Sequence, residues 1–285
     1  MRKFREIKRI SRSKPTIEGA GVRLKRVFAH QEVKILDPFL LLDDFHSDKP
    51  DDYIAGFPWH PHRGIETVTY MIEGKVEHQD SIGNHGIING GDIQWMTAGS
   101  GIIHSEMPAQ VDNLLWGFQL WVNLPAKNKM MQPRYQDIPK TLVPEITQNN
   151  GVKIRVLSGE INGTKGPVQD IVTNPEYLDI TVPPNTKFEH KVKEGYTVFA
   201  YCFDGKGYFE PSYDQLVSAE QLIIFSDGDY VQIKGQEDSS VRFLLVSGKP
   251  IKEPVAWYGP IVMNTQEELK IAFDEYNRGT FLKYK

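Results

Sequence analysis

The chain has 285 residues, a length suited to one large or two small domains, and its 40% hydrophobic and 11% aromatic content makes a packed core feasible. A net charge of −4 argues against a dedicated nucleic-acid binder. The single cysteine, Cys202, excludes an internal disulfide, and no run approaches the roughly 18 apolar residues that a membrane helix needs.

Residues 1–9 are basic but lack the apolar centre of a secretory signal, so they read as a solvated first strand and the chain is expected in the cytoplasm. Residues 1–36 alternate weakly and predict opening strands, with a turn at Glu18-Gly19-Ala20-Gly21. The run from Pro38 to Phe45 predicts a buried strand that ends at a polar rim. Residues 47–53, rich in Asp and Pro, predict a loop beside a pocket mouth.

The stretch from Gly56 to Pro108 organises the rest. It opens with Trp59-His60-Pro61-His62 and closes with Ile103-His104-Ser105-Glu106. Side chains at i and i+2 share one face of a strand, so His60 and His62 form one pair, and His104 and Glu106 another. If the two strands face each other in a small barrel, three imidazoles and a carboxylate converge, a ligand set for a transition metal with open positions. Neutral imidazole suits Fe, Zn, Cu or Ni, and the carboxylate shifts the preference toward harder ions. No cysteine is near, which argues against a structural thiolate zinc site.

Between these pairs, 67–72 and 75–80 predict a hairpin around Glu73-Gly74, which leaves His78 and His85 exposed on the hairpin and its turn. Residues 87–96 predict a turn and then a strand, and 114–122 a further strand with Trp116 and Phe118 alternating. Residues 124–150 carry Pro125, Pro133, Pro139 and Pro144, with a basic patch at Lys127 and Lys129, and predict an inter-domain linker.

A second β region echoes the first. Thr197 to Lys206 matches Thr67 to Lys75 in register and turn, and Asp227 to Val231 echoes Gly90 to Gln94. Such a duplication predicts two stacked copies of one unit. At these offsets His60 maps to His190, His62 to Val192, His104 to Val241 and Glu106 to Phe243, so the second barrel is expected to be metal-free. Cys202 lies in an apolar run and predicts a buried filler. At the end, Thr265 and Glu268 fit a capping box, Leu269, Ala272, Phe273 and Tyr276 fall at helical spacing, and Gly279 predicts a stop.

His-x-His, a Gly-bounded hairpin and a late His resemble the two-motif cupin pattern. Phe57 to Thr67 and Gln94 to Pro108 resemble the pirin family more closely, as do Asp37 to Phe45 and Glu253 to Thr265. Thr97 replaces the Pro usual in cupins, and Glu106 follows the late His at two residues; both departures are features of pirins. The resemblance implies an all-β fold of two stacked cupin jelly-roll barrels with a C-terminal helix that packs back across the first. The expected domains are 1–135, metal-binding, and 136–285, metal-free with the closing helix.

The resemblance further implies iron, with Fe(II) the expected ion and Zn, Mn, Ni, Co or Cu as alternatives, held by His60, His62, His104 and Glu106. Glu106 is also the expected catalytic base, since several pirins open flavonols such as quercetin with dioxygen. Glu66 stands where ordinary cupins place a carboxylate ligand but is not a ligand in pirins; it is expected to hold an imidazole N–H. Phe57, Trp59 and Trp95 flank the ligands and either stack on a planar substrate or pack in the core. Two functions stay open: a dioxygenase for a small aromatic substrate, and a non-catalytic redox-sensing regulator that binds a protein partner. A monomer is expected, without direct nucleic-acid or membrane contact.

Overall fold

The computed structural model describes residues 2–109 and 114–284 and is mostly β-strand, with one longer helix near the C-terminus. Two compact units emerge, and neither is continuous in sequence. One comprises Pro15–Val33, Pro38–Lys140 and Ile251–Lys285; the other comprises Met1–Lys14, Lys34–Asp37 and Thr141–Pro250. The all-β, two-barrel architecture with a C-terminal helix is the one the sequence predicts.

In the unit that carries the histidine pairs, a seven-stranded sheet runs in the order Arg134–Ile138, Ile93–Thr97, Ile65–Glu73, Leu115–Asn123, Phe39–Ser47, Val22–Phe28, Lys14–Glu18. A four-stranded sheet runs Phe57–His62, Ile102–Pro108, Lys75–Asp80, His85–Asn89. Val22, Leu24, Phe45 and Met71 from the first sheet pack against Val76 and Ile88 from the second, which closes the barrel around an apolar filling.

The hairpin expected around Glu73-Gly74 does not form. Ile65–Glu73 pairs with Leu115–Asn123 and Ile93–Thr97, whereas Lys75–Asp80 pairs with Ile102–Pro108 and His85–Asn89. Gly74, at φ +84°, turns the chain from one sheet to the other, and a Cβ there would lie 2.8 Å from the Leu114 carbonyl oxygen. The hairpin lies one strand later. Asp80 holds it by accepting from the backbone N–H of Ile82 at 2.8 Å and of Asn84 at 2.9 Å.

Residues 124–150 are likewise more than a linker. Arg134–Ile138 completes the seven-stranded sheet, and Glu145–Thr147 pairs with Lys153–Ser158 in the other unit, so the crossing shrinks to 139–144. Lys129 is not part of a surface patch but only 1% exposed. Its ammonium donates to Gly64 O at 2.8 Å, Asn123 Oδ1 at 2.6 Å and Val262 O at 3.1 Å.

The second unit fills its barrel with Ile154, Leu178, Phe209, Phe243 and Leu245 among others. Val241 and Phe243, at the positions that echo His104 and Glu106, are part of this core. His190, the echo of His60, is buried against Glu176, with Nε2 2.9 Å from Oε2. Cys202 is fully buried, and burial pushes its thiol up to about 12, in keeping with a filler.

The helix Gln266–Asn277 starts at the expected capping box. Thr265 accepts from the Glu268 N–H, and Glu268 reaches back to the Thr265 N–H. Leu269 and Ala272 are buried beside Ile261 and Met263, while Tyr276 is 38% exposed and meets Phe281 edge-on at 5.6 Å. No helix among the described residues is long and apolar enough to cross a membrane.

Candidate metal centre

Phe57–His62 is an edge strand, and this place tolerates Pro58 and Pro61, which have no N–H to donate to a second neighbour. It pairs antiparallel with Ile102–Pro108, with His60 opposite His104 and His62 opposite Ile102. Period-2 alternation keeps His62 on the face of His60, and cross-strand pairing brings His104 onto it. The register shifts between His104 and Glu106, and Glu106 stands opposite Phe57.

The three imidazoles converge through Nε2. His60 Nε2 lies 3.1 Å from His62 Nε2 and 2.9 Å from His104 Nε2. The candidate ligand atoms of all three lie within 4.8 Å of one another. Behind the cluster, His60 Nδ1 meets Pro58 O at 2.8 Å and His62 Nδ1 meets Pro260 O at 3.1 Å. A carbonyl oxygen only accepts, so each Nδ1 carries a proton, and in the neutral ring each Nε2 then presents a lone pair. Two lone pairs 3.1 Å apart cannot hydrogen-bond each other. A cation between them removes the repulsion, and the donor set therefore fits a transition ion. Burial, then the facing imidazole of His60, pushes His62 and His104 well below their ordinary range, so both stay neutral.

Glu106 lies outside this three-histidine group. Its Oε1 accepts from Thr69 Oγ1 at 3.0 Å and its Oε2 from Gln119 Nε2 at 2.9 Å. It lines an inner pocket of about 40 Å³ together with Phe45, Phe57 and Leu115. Glu66 holds no imidazole N–H in the structure: it is fully buried and accepts from Thr97 Oγ1 at 2.8 Å. The threonine that departs from the cupin pattern is thus the partner of this carboxylate.

A cavity of about 520 Å³ opens over His60 and His62, walled by Phe57, Trp59, Trp121 and Trp257. Trp95, by contrast, is 1% exposed and belongs to the core, whereas Trp59 is 53% exposed at the rim. Arg26 reaches this cavity with its guanidinium held bidentately by Asp43, at 2.9 and 2.8 Å.

Known proteins match along the same lines. The Pirin family matches residues 21–122, and the Pirin C-terminal cupin domain matches residues 177–282. A pirin-like protein of Caulobacter vibrioides is 44% identical over 97% of this chain and 99% of its own length. The chain belongs to the pirin family. Among solved structures, a quercetin 2,3-dioxygenase from Acinetobacter baumannii superposes on this pirin with a TM-score of 0.90 at 32% identity, covering 98% of each chain. The bacterial pirin YhhW of Escherichia coli, in complex with nickel(II), gives a TM-score of 0.65 at 23% identity over 85% of this chain and all of its own, a likeness of fold.

Several residues of the site are not legible as such in the pirin sequence. Gln119 is a polar residue in the middle of an otherwise apolar run, and that position is a signal: it donates to Glu106 and accepts from Trp121 Nε1 at 3.2 Å. Trp257 and Pro260, far along the chain, reach the site because the tail belongs to the same unit. His78, expected at the surface, is 1% exposed and packs against His104 with ring centroids 5.4 Å apart. The corner at Gly74 explains this, because it turns the His78 strand into the sheet of His104. His85 is exposed, as expected, and meets Glu77 at 2.8 Å.

Proposed function

We propose that this pirin is a non-haem, metal-dependent dioxygenase that opens flavonols such as quercetin with dioxygen. The observation that carries the reading is the convergence of three imidazole Nε2 atoms beneath an aromatic-walled cavity. That cavity, about 520 Å³, falls in the range of small-molecule sites. The relative named quercetin 2,3-dioxygenase supports the same chemistry.

His60, His62 and His104 would hold the ion, with Glu106 as fourth donor, and Fe(II) is the ion we favour among the divalent transition metals. When bound, such an ion supplies open positions and the electronic path between an ionised aromatic substrate and dioxygen. The chain supplies the rest. Trp59, Trp121 and Trp257 present faces and edges on which a planar ring stacks. Glu106 takes the proton of the substrate's 3-hydroxyl, and Thr69 and Gln119 fix the orientation of its carboxylate for that transfer. The aromatic walls exclude water from the ionised substrate.

Oxygen uptake and carbon monoxide release by iron-loaded protein with quercetin test the proposal. Uptake coupled to carbon monoxide is expected. If no flavonol elicits uptake from metal-loaded protein, the redox-sensing regulator becomes the better account.

A further inference from the structure

The strand Lys75–Asp80 lies beside Ile102–Pro108 in antiparallel register, with Asp80 opposite His104 and His78 opposite Glu106. Cross-strand neighbours point to the same face. The two candidate ligands of the late strand are therefore backed by a second i, i+2 pair, His78 and Asp80. Both of these are buried, with side chains 1% and 0% exposed.

This pair is incompletely bonded in one particular way. Among the described residues, His78 has no hydrogen-bond partner at Nδ1 or at Nε2, and His104 has none at Nδ1. His60 and His62 each have their Nδ1 held by a carbonyl oxygen; His104 alone of the three lacks an acceptor. Outside the ligand cluster, the His78 ring packs beside His104, with centroids 5.4 Å apart and planes tilted 55°. His78 Nε2 lies 3.7 Å from Asp80 Oδ2, just beyond hydrogen-bond range. Asp80 is itself fixed, since Ile82, Asn84 and the Asn84 side chain all donate to it. Buried polar atoms are normally satisfied, and here three orphan nitrogens sit on two packed imidazole rings beside one anchored carboxylate.

We propose that His78 and Asp80 form an outer relay for the metal centre, in which His104 Nδ1–H donates to His78 Nδ1 and His78 Nε2–H donates to Asp80. Closing both contacts satisfies all three nitrogens. The relay makes His78 a positioning residue: it fixes the tautomer and orientation of His104 and raises the donor strength of His104 Nε2. This rests on the reading of His60, His62 and His104 as metal ligands, and the test separates the two.

Zinc affinity by chelator competition, in wild type, His78→Gln and His78→Phe, reads the effect without requiring turnover. His78→Phe keeps an aromatic ring but removes the acceptor, and should bind zinc about 10–100-fold more weakly. His78→Gln keeps a carbonyl acceptor for His104 and should recover much of that loss. A packing role predicts the reverse order, because phenylalanine preserves ring shape better than glutamine. In zinc-loaded wild type with 15N-labelled imidazoles, a coupling across the hydrogen bond between His104 Nδ1 and His78 Nδ1 should be seen, and this measurement depends on no variant folding. Absence of that coupling, equal losses in both variants, or wild-type affinity in both would each overturn the relay while leaving the metal centre intact. A wild type that binds no zinc, iron or nickel would overturn the metal centre and the relay with it.

Discussion

Arg63, the residue that follows His62, pairs through Nη1 with Glu275 of the C-terminal helix at 2.8 Å. The same guanidinium donates through Nε to Ser100 O at 2.7 Å and through Nη2 to Phe281 O at 2.8 Å, and it lies over the Phe281 ring. One 1%-exposed side chain thus ties the histidine strand, the turn before His104 and the tail together. Arg63→Met should destabilise the protein by about 1–3 kcal/mol, because it leaves the Ser100 and Phe281 carbonyls without this donor while Glu275 keeps Lys283 at 2.8 Å. Glu275→Gln should cost much less, since the Glu275 side chain is 25% exposed and water screens the change. Urea unfolding measures both, and near-equal costs would show that the pair, rather than the whole anchor, carries the effect.

The metal reading predicts close to one ion per purified chain. His62→Ala should lose the ion and any oxygen uptake together, while His190→Ala, in the other unit, should keep both near wild type. Elemental analysis of the two variants decides. Two ions per wild-type chain would contradict the loss of ligands at Val192, Val241 and Phe243.

The same histidines set a pH dependence. Burial, then facing imidazoles, pushes His62 and His104 well below 6.5, while the unfolded chain takes up protons near that value. Below about pH 6.5 the unfolded state therefore binds more protons, so stability is lost as pH falls. Metal-free protein should show a falling urea midpoint from about pH 6.5 downward, with a slope of up to about 1.4 kcal/mol per pH unit for each histidine. The double variant His62→Phe/His104→Phe should lack that part of the slope. Bound metal should hold both imidazoles deprotonated and move the loss to lower pH.

Lys129 works in the opposite pH range. Burial pushes its pKa down to about 7, from 10.5 when free. Between these values the unfolded chain holds a proton that the native state releases, so stability should rise as pH goes from about 7 to 10. Lys129→Met should lack this rise and should cost stability at pH 7, because Gly64 O, Asn123 Oδ1 and Val262 O lose their donor. A wild-type profile flat across that range would show that the ammonium stays charged in its cage.

Glu106→Gln isolates the proposed base. The variant keeps its size and one oxygen but loses charge and basicity, and loss of a general base typically costs ~10²–10⁴ in rate. It should bind some iron yet turn over quercetin far more slowly, with the deficit partly relieved at higher pH as the substrate ionises unaided. Oxygen uptake by iron-loaded wild type and variant across pH 6–9 reads this out. A variant as fast as wild type would remove Glu106 from the chemistry.

The sequence alone determined what depends on local spacing. Period-2 alternation places His60 and His62 on one face, and the capping box at Thr265 and Glu268 starts the helix one residue on, because both follow from backbone geometry within a few residues. Tertiary structure decided everything that turns on which strands meet. An alternating run broken by Glu73-Gly74 is consistent with a hairpin or with a corner between sheets, and only long-range pairing selects the corner. That selection buries His78 behind His104. Lys129, Arg63 and Gln119 likewise read as ordinary polar residues until distant carbonyls and carboxylates surround them. Most of their partners lie 13 to 218 positions away, where no local period reaches and only the closed barrel brings donor to acceptor.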